Sequence, residues 1–185
     1  MNRVILYILI SFTLLLPIDA RNDELGTFKT IPKPAYHHPG KNNNQLYSDL
    51  DIPIYSYNKL FAFDKEYLGI TFDYFKKYNE WWWKIRSGYL GTINTPAFDC
   101  DNYAFLYKTL LTTAVTSNPR SKQILVGVII VEQKKSTLGL PAIRNSTKHA
   151  LCIVYTSSGW YVIEPQTNKY ISLADYKNTI HKYIF

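Results

Sequence analysis

The stretch Phe98-Asp99-Cys100-Asp101-Asn102-Tyr103-Ala104 places a cysteine between two acids where a helix is predicted to begin. Pro96 suits a turn or a first helical position, and Thr95 or Asp99 can cap the helix. Apolar side chains then recur at the spacing of one helical face, at Tyr103, Leu106, Tyr107, Leu110 and Leu111. The first turn of a helix stabilises a thiolate, whereas the flanking carboxylates destabilise it. The pattern therefore requires a cationic partner for Cys100, and a histidinium is the natural candidate.

A second stretch has the pattern of a β-hairpin. It runs from His149 to Thr156, turns at Ser157-Ser158 and returns from Gly159 to Gln166. With a two-residue turn, the numbers of paired residues sum to 315. On that register Glu164 shares the face of His149 and lies within side-chain reach on a diagonal. A three-residue turn would move Glu164 to the other face.

Cys100, His149 and Glu164 thus offer a nucleophile, a base and an acid that orients the base. A disulfide between Cys100 and Cys152 is the structural alternative, because the chain has 2 cysteines and a signal-like N-terminus. Strand alternation argues against that disulfide, since His149 and Cys152 point to opposite faces of one strand.

These motifs resemble the papain-like and transglutaminase-like cysteine peptidase superfamily over roughly half of the chain. The nearest patterns are those of the bacterial transglutaminase-like cysteine proteinases and of the protease domain of the Marasmius oreades agglutinin. Both share the Asp-Cys-Asp/Glu helix start and the His-Ala strand, and the agglutinin-like group resembles the Ile163-Glu-Pro-Gln166 ending. The resemblance implies an α+β, papain-like fold, with N-terminal helices and the nucleophile helix packed on an antiparallel β-sheet.

The same resemblance implies an exported cysteine hydrolase, a peptidase that acts on proteins or peptides through a thioester acyl-enzyme. Cys100 is then the nucleophile, His149 the base and Glu164 the orienting acid. Two alternatives remain open. One is a transglutaminase or acyltransferase that uses the same triad. The other is a non-catalytic secreted binding module that keeps the fold and uses the Trp81–Trp83 surface for contact.

Some positions depart from the family pattern. Asn102 stands where the family usually has an acid. The candidate oxyanion donors are Asn94, which lies six residues before Cys100, and Gln166, together with the backbone N–H of Cys100. The chemistry requires no cofactor. The agglutinin-like group is calcium-dependent, so calcium is a candidate here, with Asp99 and Asp101 as possible contributors and no full ligand set.

The N-terminus has the pattern of a signal peptide. Arg3 is followed by an uncharged apolar run from Val4 to Ile18, and Ala20 offers a cleavage point. An uncleaved anchor is the alternative. We therefore expect a signal peptide at 1–20, an irregular N-terminal extension at 21–58 and the main domain at 59–185 of an exported protein, with no stable membrane insertion after cleavage.

The formal net charge is +7, yet the basic residues are scattered along the chain. Nucleic-acid binders cluster such residues, so we expect a solvated basic surface and no nucleic-acid partner. A helical pattern starts near Leu60 and contains Trp81, Trp82 and Trp83, of which at least one is expected at the surface. Strands are predicted at 123–131 and 169–173, and a short helix from Ala174.

Overall fold

The computed structural model describes residues 32, 35–52, 59–62, 66–87, 99–115, 123–142 and 148–185. Within these residues, three α-helices and nine β-strands are formed. The helices are α1 (Asn43–Asp49), α2 (Phe72–Ile85) and α3 (Cys100–Val115). The strands are β1 (Tyr36–Asn42), β2 (Leu60–Phe61), β3 (Glu66–Ile70), β4 (Gln123–Ile124), β5 (Val126–Glu132), β6 (Lys148–Thr156), β7 (Gly159–Glu164), β8 (Lys169–Ser172) and β9 (Thr179–Ile184).

All of these strands belong to one mixed sheet with the order β1-β3-β6-β5-β9-β2, to which β4 is added beside β3 and β7-β8 beside β6. Strand β6 is the hub, because β5 and β7 pair with it antiparallel while β3 meets its last residue, Thr156, in parallel. Parallel pairing also joins β2 to β9 and β3 to β4.

The predicted papain-like arrangement of N-terminal helices and an antiparallel sheet is wrong. In the described residues the chain begins with a strand, and the sheet contains three parallel pairings. The region near Leu60, predicted as helical, forms β2 and β3 before α2 begins. The helix predicted from Ala174 is only a 3-10 turn, Leu173–Asp175, after which β9 pairs with β5. Such short strands are stabilised by their sheet partners, which local patterns do not reveal.

Other predictions are confirmed. Helix α3 begins at Cys100, and four residues of its predicted stripe, Tyr103, Tyr107, Leu110 and Leu111, are buried. The hairpin of β6 and β7 turns at Ser157-Ser158 and pairs Thr156 with Gly159, so the expected register is correct. That register is what brings the acid of β7 to the same side as the histidine of β6.

The sheet is covered on both faces. Helix α3 packs on β5 and β6, and the Sγ of Cys152 donates a 3.1 Å hydrogen bond to the carbonyl of Ala104 in α3. On β6, Leu151 and Ile153 alternate with Cys152 and join an apolar cluster that includes Leu46 of α1.

Residues Pro32–Phe185 form one unit. Helix α1 and its flanking residues contribute Leu46, Leu50 and Ile52 to the core, although 21–58 was expected to be irregular. The predicted signal peptide at 1–20 and its cleavage point lie outside the described residues. The domain boundaries drawn from the sequence therefore stay a prediction.

Gly127 of β5 is a position where a side chain has no room, because a Cβ would lie 2.8 Å from the Phe185 ring and 3.0 Å from the Ile184 carbonyl. We expect Gly127→Ala to lower the free energy of unfolding by about 1–3 kcal/mol through overpacking. Urea unfolding measures the loss. In a Phe185→Leu background the same substitution should cost at least about 0.5 kcal/mol less, because the two sites are coupled. Equal losses in both backgrounds would contradict the packing explanation.

Candidate functional site

The centre of the site is a hydrogen bond between the side chains of His149 and Glu164. The Nε2 atom of His149 lies 2.5 Å from Oε2 of Glu164, and the two side chains are 6% and 0% exposed. His149 is the second residue of β6, and Glu164 is the last residue of β7. The antiparallel register of the two strands therefore brings together two groups that are 15 residues apart.

Cys100 completes the row, because its side chain is hydrogen-bonded to His149. Since Nε2 of the ring is engaged by Glu164, Nδ1 is left for the thiol. Burial by itself lowers the pKa of His149, but the hydrogen bonds and charges of Cys100 and Glu164 outweigh it and raise the pKa to about 9. The imidazole is therefore held as a cation at neutral pH, where it can stabilise a thiolate.

Cys100 is half-buried at the first position of α3. The backbone turn before it is fixed by Asn102, whose Oδ1 accepts a 3.2 Å hydrogen bond from the backbone N–H of Asp99. This contact gives Asn102 a structural role at a position where the sequence departs from the family pattern. A hydrogen bond from Asp101 raises the pKa of the Asp99 carboxyl, as expected for adjacent acids.

Glu164 is fixed by the turn that follows it. Its Oε1 accepts a 2.9 Å hydrogen bond from the backbone N–H of Gln166, while the indole N–H of Trp82 donates to the carbonyl of Pro165 at 2.8 Å. Trp82 is fully buried. Sequence reasoning missed its positioning role, although a buried indole N–H is expected to need an acceptor.

The oxyanion predictions remain untested. Asn94 lies outside the described residues. The backbone N–H of Gln166 is engaged by Glu164, and that contact gives Gln166 a part in fixing the acid.

One set of candidate metal-binding side chains occurs in the described part of the chain: ligand atoms of Asp99, Cys100 and Asp101 lie within 4.8 Å of one another. Carboxylates suit calcium, whereas a thiolate suits softer ions. Calcium stays a prediction.

The two cysteines, Cys100 and Cys152, are both free. Cys152 is fully buried, and burial raises the pKa of its thiol well above the usual range, so this thiol is unreactive. Strand alternation alone does not explain why the two cysteines stay apart, because His149 and Cys152 both contact α3. His149 contacts Cys100, and Cys152 contacts Ala104.

A second feature is the tryptophan run of α2. Trp81 and Trp82 are buried, whereas Trp83 is 40% exposed, as expected for at least one of the three. The guanidinium of Arg86 lies 5.3 Å from the Trp83 ring centre and 5.9 Å from that of Tyr103 in α3. A cation and an exposed ring thus meet beside the first turn of the helix that carries Cys100.

Chemically, the Cys100–His149–Glu164 row can hold a thiolate, direct it at an electrophilic carbon and return a proton from the imidazolium. Glu164 keeps the ring oriented and supports its charge.

The fold is similar to that of two solved structures. One is described as "PSL1a-E64 complex"; its TM-score is 0.57 and its identity 18%, over 79% of this chain and 51% of that chain. The other is a Polyporus squamosus lectin bound to the human-type influenza-binding epitope Neu5Aca2-6Galb1-4GlcNAc. Its TM-score is 0.50 and its identity 20%, over 69% of this chain and 42% of that chain. The chain therefore spans about half the length of these structures, and at this identity the likeness concerns the fold alone.

No family model and no curated protein match the chain.

The comparisons contradict the family assignment based on the motifs. The similar structures are those of a lectin, not of a papain-like or transglutaminase-like cysteine peptidase. The prediction that the chain is a cysteine hydrolase, a peptidase that acts on proteins or peptides, is therefore wrong. The assignment rested on short motifs, and a motif match is a hypothesis about the family. A shared fold, for its part, does not establish a shared activity. The comparisons favour the alternative, a binding module.

No helix in the described ranges is both long and apolar enough to span a membrane.

The raised pKa of His149 predicts that folding stability falls as the pH rises. The pKa increases from 6.5 to about 9 on folding, so the stabilisation is fully present below pH 6.5 and is lost as the pH rises through about 9. At about 1.4 kcal/mol per pKa unit, the upper limit is about 3–4 kcal/mol. Urea unfolding between pH 6 and 9.5 measures it. Glu164→Gln, which removes the charge partner, should flatten the profile; a flat profile in the unsubstituted protein would contradict the assignment.

Proposed function

We propose that the chain is a non-catalytic, exported binding module that recognises a glycan. The observation that carries the proposal is the likeness of its fold to the lectin structures, one of which is bound to a sialylated trisaccharide. Because the chain spans about half of the length of those structures, the test has to show that this chain by itself binds a glycan.

The surface beside α2 supports this proposal. Trp83 is among the few large apolar side chains of the described residues that are strongly exposed, together with Phe61, Phe105 and Tyr170. An aromatic ring offers an apolar face to a sugar ring while its edge stays hydrated. Arg86 beside it supplies hydrogen-bond donors that can engage sugar oxygens. Of the three tryptophans in the predicted contact surface at Trp81–Trp83, Trp83 is the one exposed enough to contact a ligand.

A second candidate function is covalent binding of an electrophilic ligand by Cys100, and the hydrogen-bonded row of Cys100, His149 and Glu164 favours it. We assign Cys100 as the nucleophile, His149 as its base and Glu164 as the orienting acid. With an epoxide, a sulfur–carbon bond would form while a carbon–oxygen bond opens, and the alkoxide would take the proton of the His149 imidazolium. E64, which is named in the description of one similar structure, is a suitable first ligand to test.

Trp83→Ala should weaken glycan binding by about tenfold, because it removes the exposed ring and alters the site of Arg86. Calorimetric titration with a panel of neutral and sialylated glycans measures the affinity. Phe105→Ala is the matched control, since it removes a ring of similar exposure, 44% against 40%, from another helix. Cys100→Ser should bind normally, as expected for recognition without catalysis. If no glycan of the panel binds the unsubstituted protein, or if both ring variants lose affinity equally, this function is wrong.

Electrophiles should modify Cys100 and leave Cys152 untouched. Peptide mass analysis after treatment with E64, or with iodoacetamide, at pH 6 measures this selectivity. We expect His149→Ala to slow the reaction at least about tenfold, because a neighbouring imidazolium favours the reactive form of a cysteine and the variant lacks it. Glu164→Gln is a milder test that retains the ring, and it should slow the reaction in the same direction. Equal modification of the two cysteines would rule out an activated thiol at Cys100.

A further inference from the structure

Arg86 is a cation without an acidic partner in the part of the chain that the structure describes. Its guanidinium lies over the rings of Trp83 and Tyr103, and its Nε atom is buried and makes no hydrogen bond there. Aromatic faces attract a cation, but they supply no acceptor oxygen. A buried donor that lacks an acceptor is unfavourable, so this position is suited to a group that brings its own oxygens.

The position of Arg86 relative to the thiol follows from the helix. Tyr103 and Cys100 are three residues apart in α3, and such residues are neighbours on a helix surface, with Cβ atoms about 5–6 Å apart. Arg86 contacts Tyr103, so its charge lies beside the first turn of α3. Trp83, whose ring the guanidinium also contacts, is 40% exposed.

The chemical class of the acceptor that Arg86 lacks follows from the groups around it. A guanidinium binds a carboxylate through two parallel hydrogen bonds, a geometry that lysine cannot reproduce. The exposed ring of Trp83 next to it favours a ligand that also has an apolar face. An acidic sugar offers both groups on one small ring.

We propose that Arg86, with Trp83 and Tyr103, forms a subsite beside Cys100 that binds the carboxylate of an acidic sugar. This inference rests on the proposed glycan recognition and specifies the class of sugar. Trp83 packs against the sugar ring, Tyr103 supports the guanidinium from within the protein, and Arg86 pairs with the carboxylate. Asp99 and Asp101 repel anions from the same helix turn, and the charge of Arg86 opposes that repulsion on the side of Tyr103.

The first experiment uses Cys100 as a reporter of the local charge. Iodoacetate and iodoacetamide alkylate a thiolate by the same displacement of iodide, but only iodoacetate is anionic. The ratio of their rates at Cys100 should fall about threefold or more in Arg86→Gln, as expected for the loss of one charge nearby. Lys84→Gln is the matched control, because it removes an exposed cation from the last turn of α2, just before Arg86, and it should leave the ratio unchanged. An unchanged ratio in Arg86→Gln overturns the proposal.

The second experiment tests the sugar. D-glucuronate should slow the alkylation of Cys100 by iodoacetamide, whereas D-glucose and acetate should not. The protection should be lost in Arg86→Gln and also in Arg86→Lys, which keeps the charge but not the paired donors. Equal protection by acetate, or none by glucuronate, overturns the assignment to an acidic sugar. If neutral glycans bind and glucuronate does not, the proposed glycan recognition holds and the subsite is wrong. If glucuronate protects Cys100 through Arg86 but no glycan of the panel binds, the subsite holds and the proposed glycan recognition is wrong.

Discussion

The buried contact between His149 and Glu164 is the constraint on which the site depends. Two ionisable side chains that are 6% and 0% exposed are tolerated only when they are paired. Their pairing requires the β6–β7 register, because a shift by one residue would move Glu164 to the opposite face of the sheet. The turn after β7 reinforces the register, since the backbone of Gln166 holds the second carboxylate oxygen and Trp82 holds the carbonyl of Pro165. The hairpin and the turn after it are thus coupled through one carboxylate, and α2 holds the same turn through Pro165.

The site places a thiol beside an imidazole in a chain whose fold is similar to that of two lectin structures. These two observations concern different levels of organisation. A fold is a scaffold that can host unrelated activities, whereas reactivity depends on a few side chains and their environment. The contact between Cys100 and His149 therefore has to be judged by its own chemistry, and the proposed glycan recognition has to be judged by binding measurements on the exposed surface of α2. The placement of Arg86 next to the first turn of α3 brings these two regions close together.

Much of the candidate site could be predicted from the sequence, because it depends on local patterns. The two-residue turn at Ser157-Ser158 fixed the register of the hairpin, and the apolar spacing after Cys100 fixed the buried face of α3. The overall fold was harder to predict from the sequence. The partners of β1, β2 and β9 lie far away in the chain, and their pairing is supported by tertiary contacts rather than by their own composition. The role of Trp82 was hidden for the same reason, since its acceptor is 83 residues away.

By itself, the sequence determined the helix that begins at Cys100, the β6–β7 hairpin and the alignment of Glu164 with His149, since helical spacing and turn length act within a few residues. Only the tertiary structure decided that the sheet is mixed, that α1 belongs to the core and that Trp83 is the exposed member of the tryptophan run. It also decided that Arg86 contacts rings of two different helices. The physical reason is the same in each case: burial and contact depend on which distant surfaces meet, and periodicity in the chain describes only the face that a segment offers.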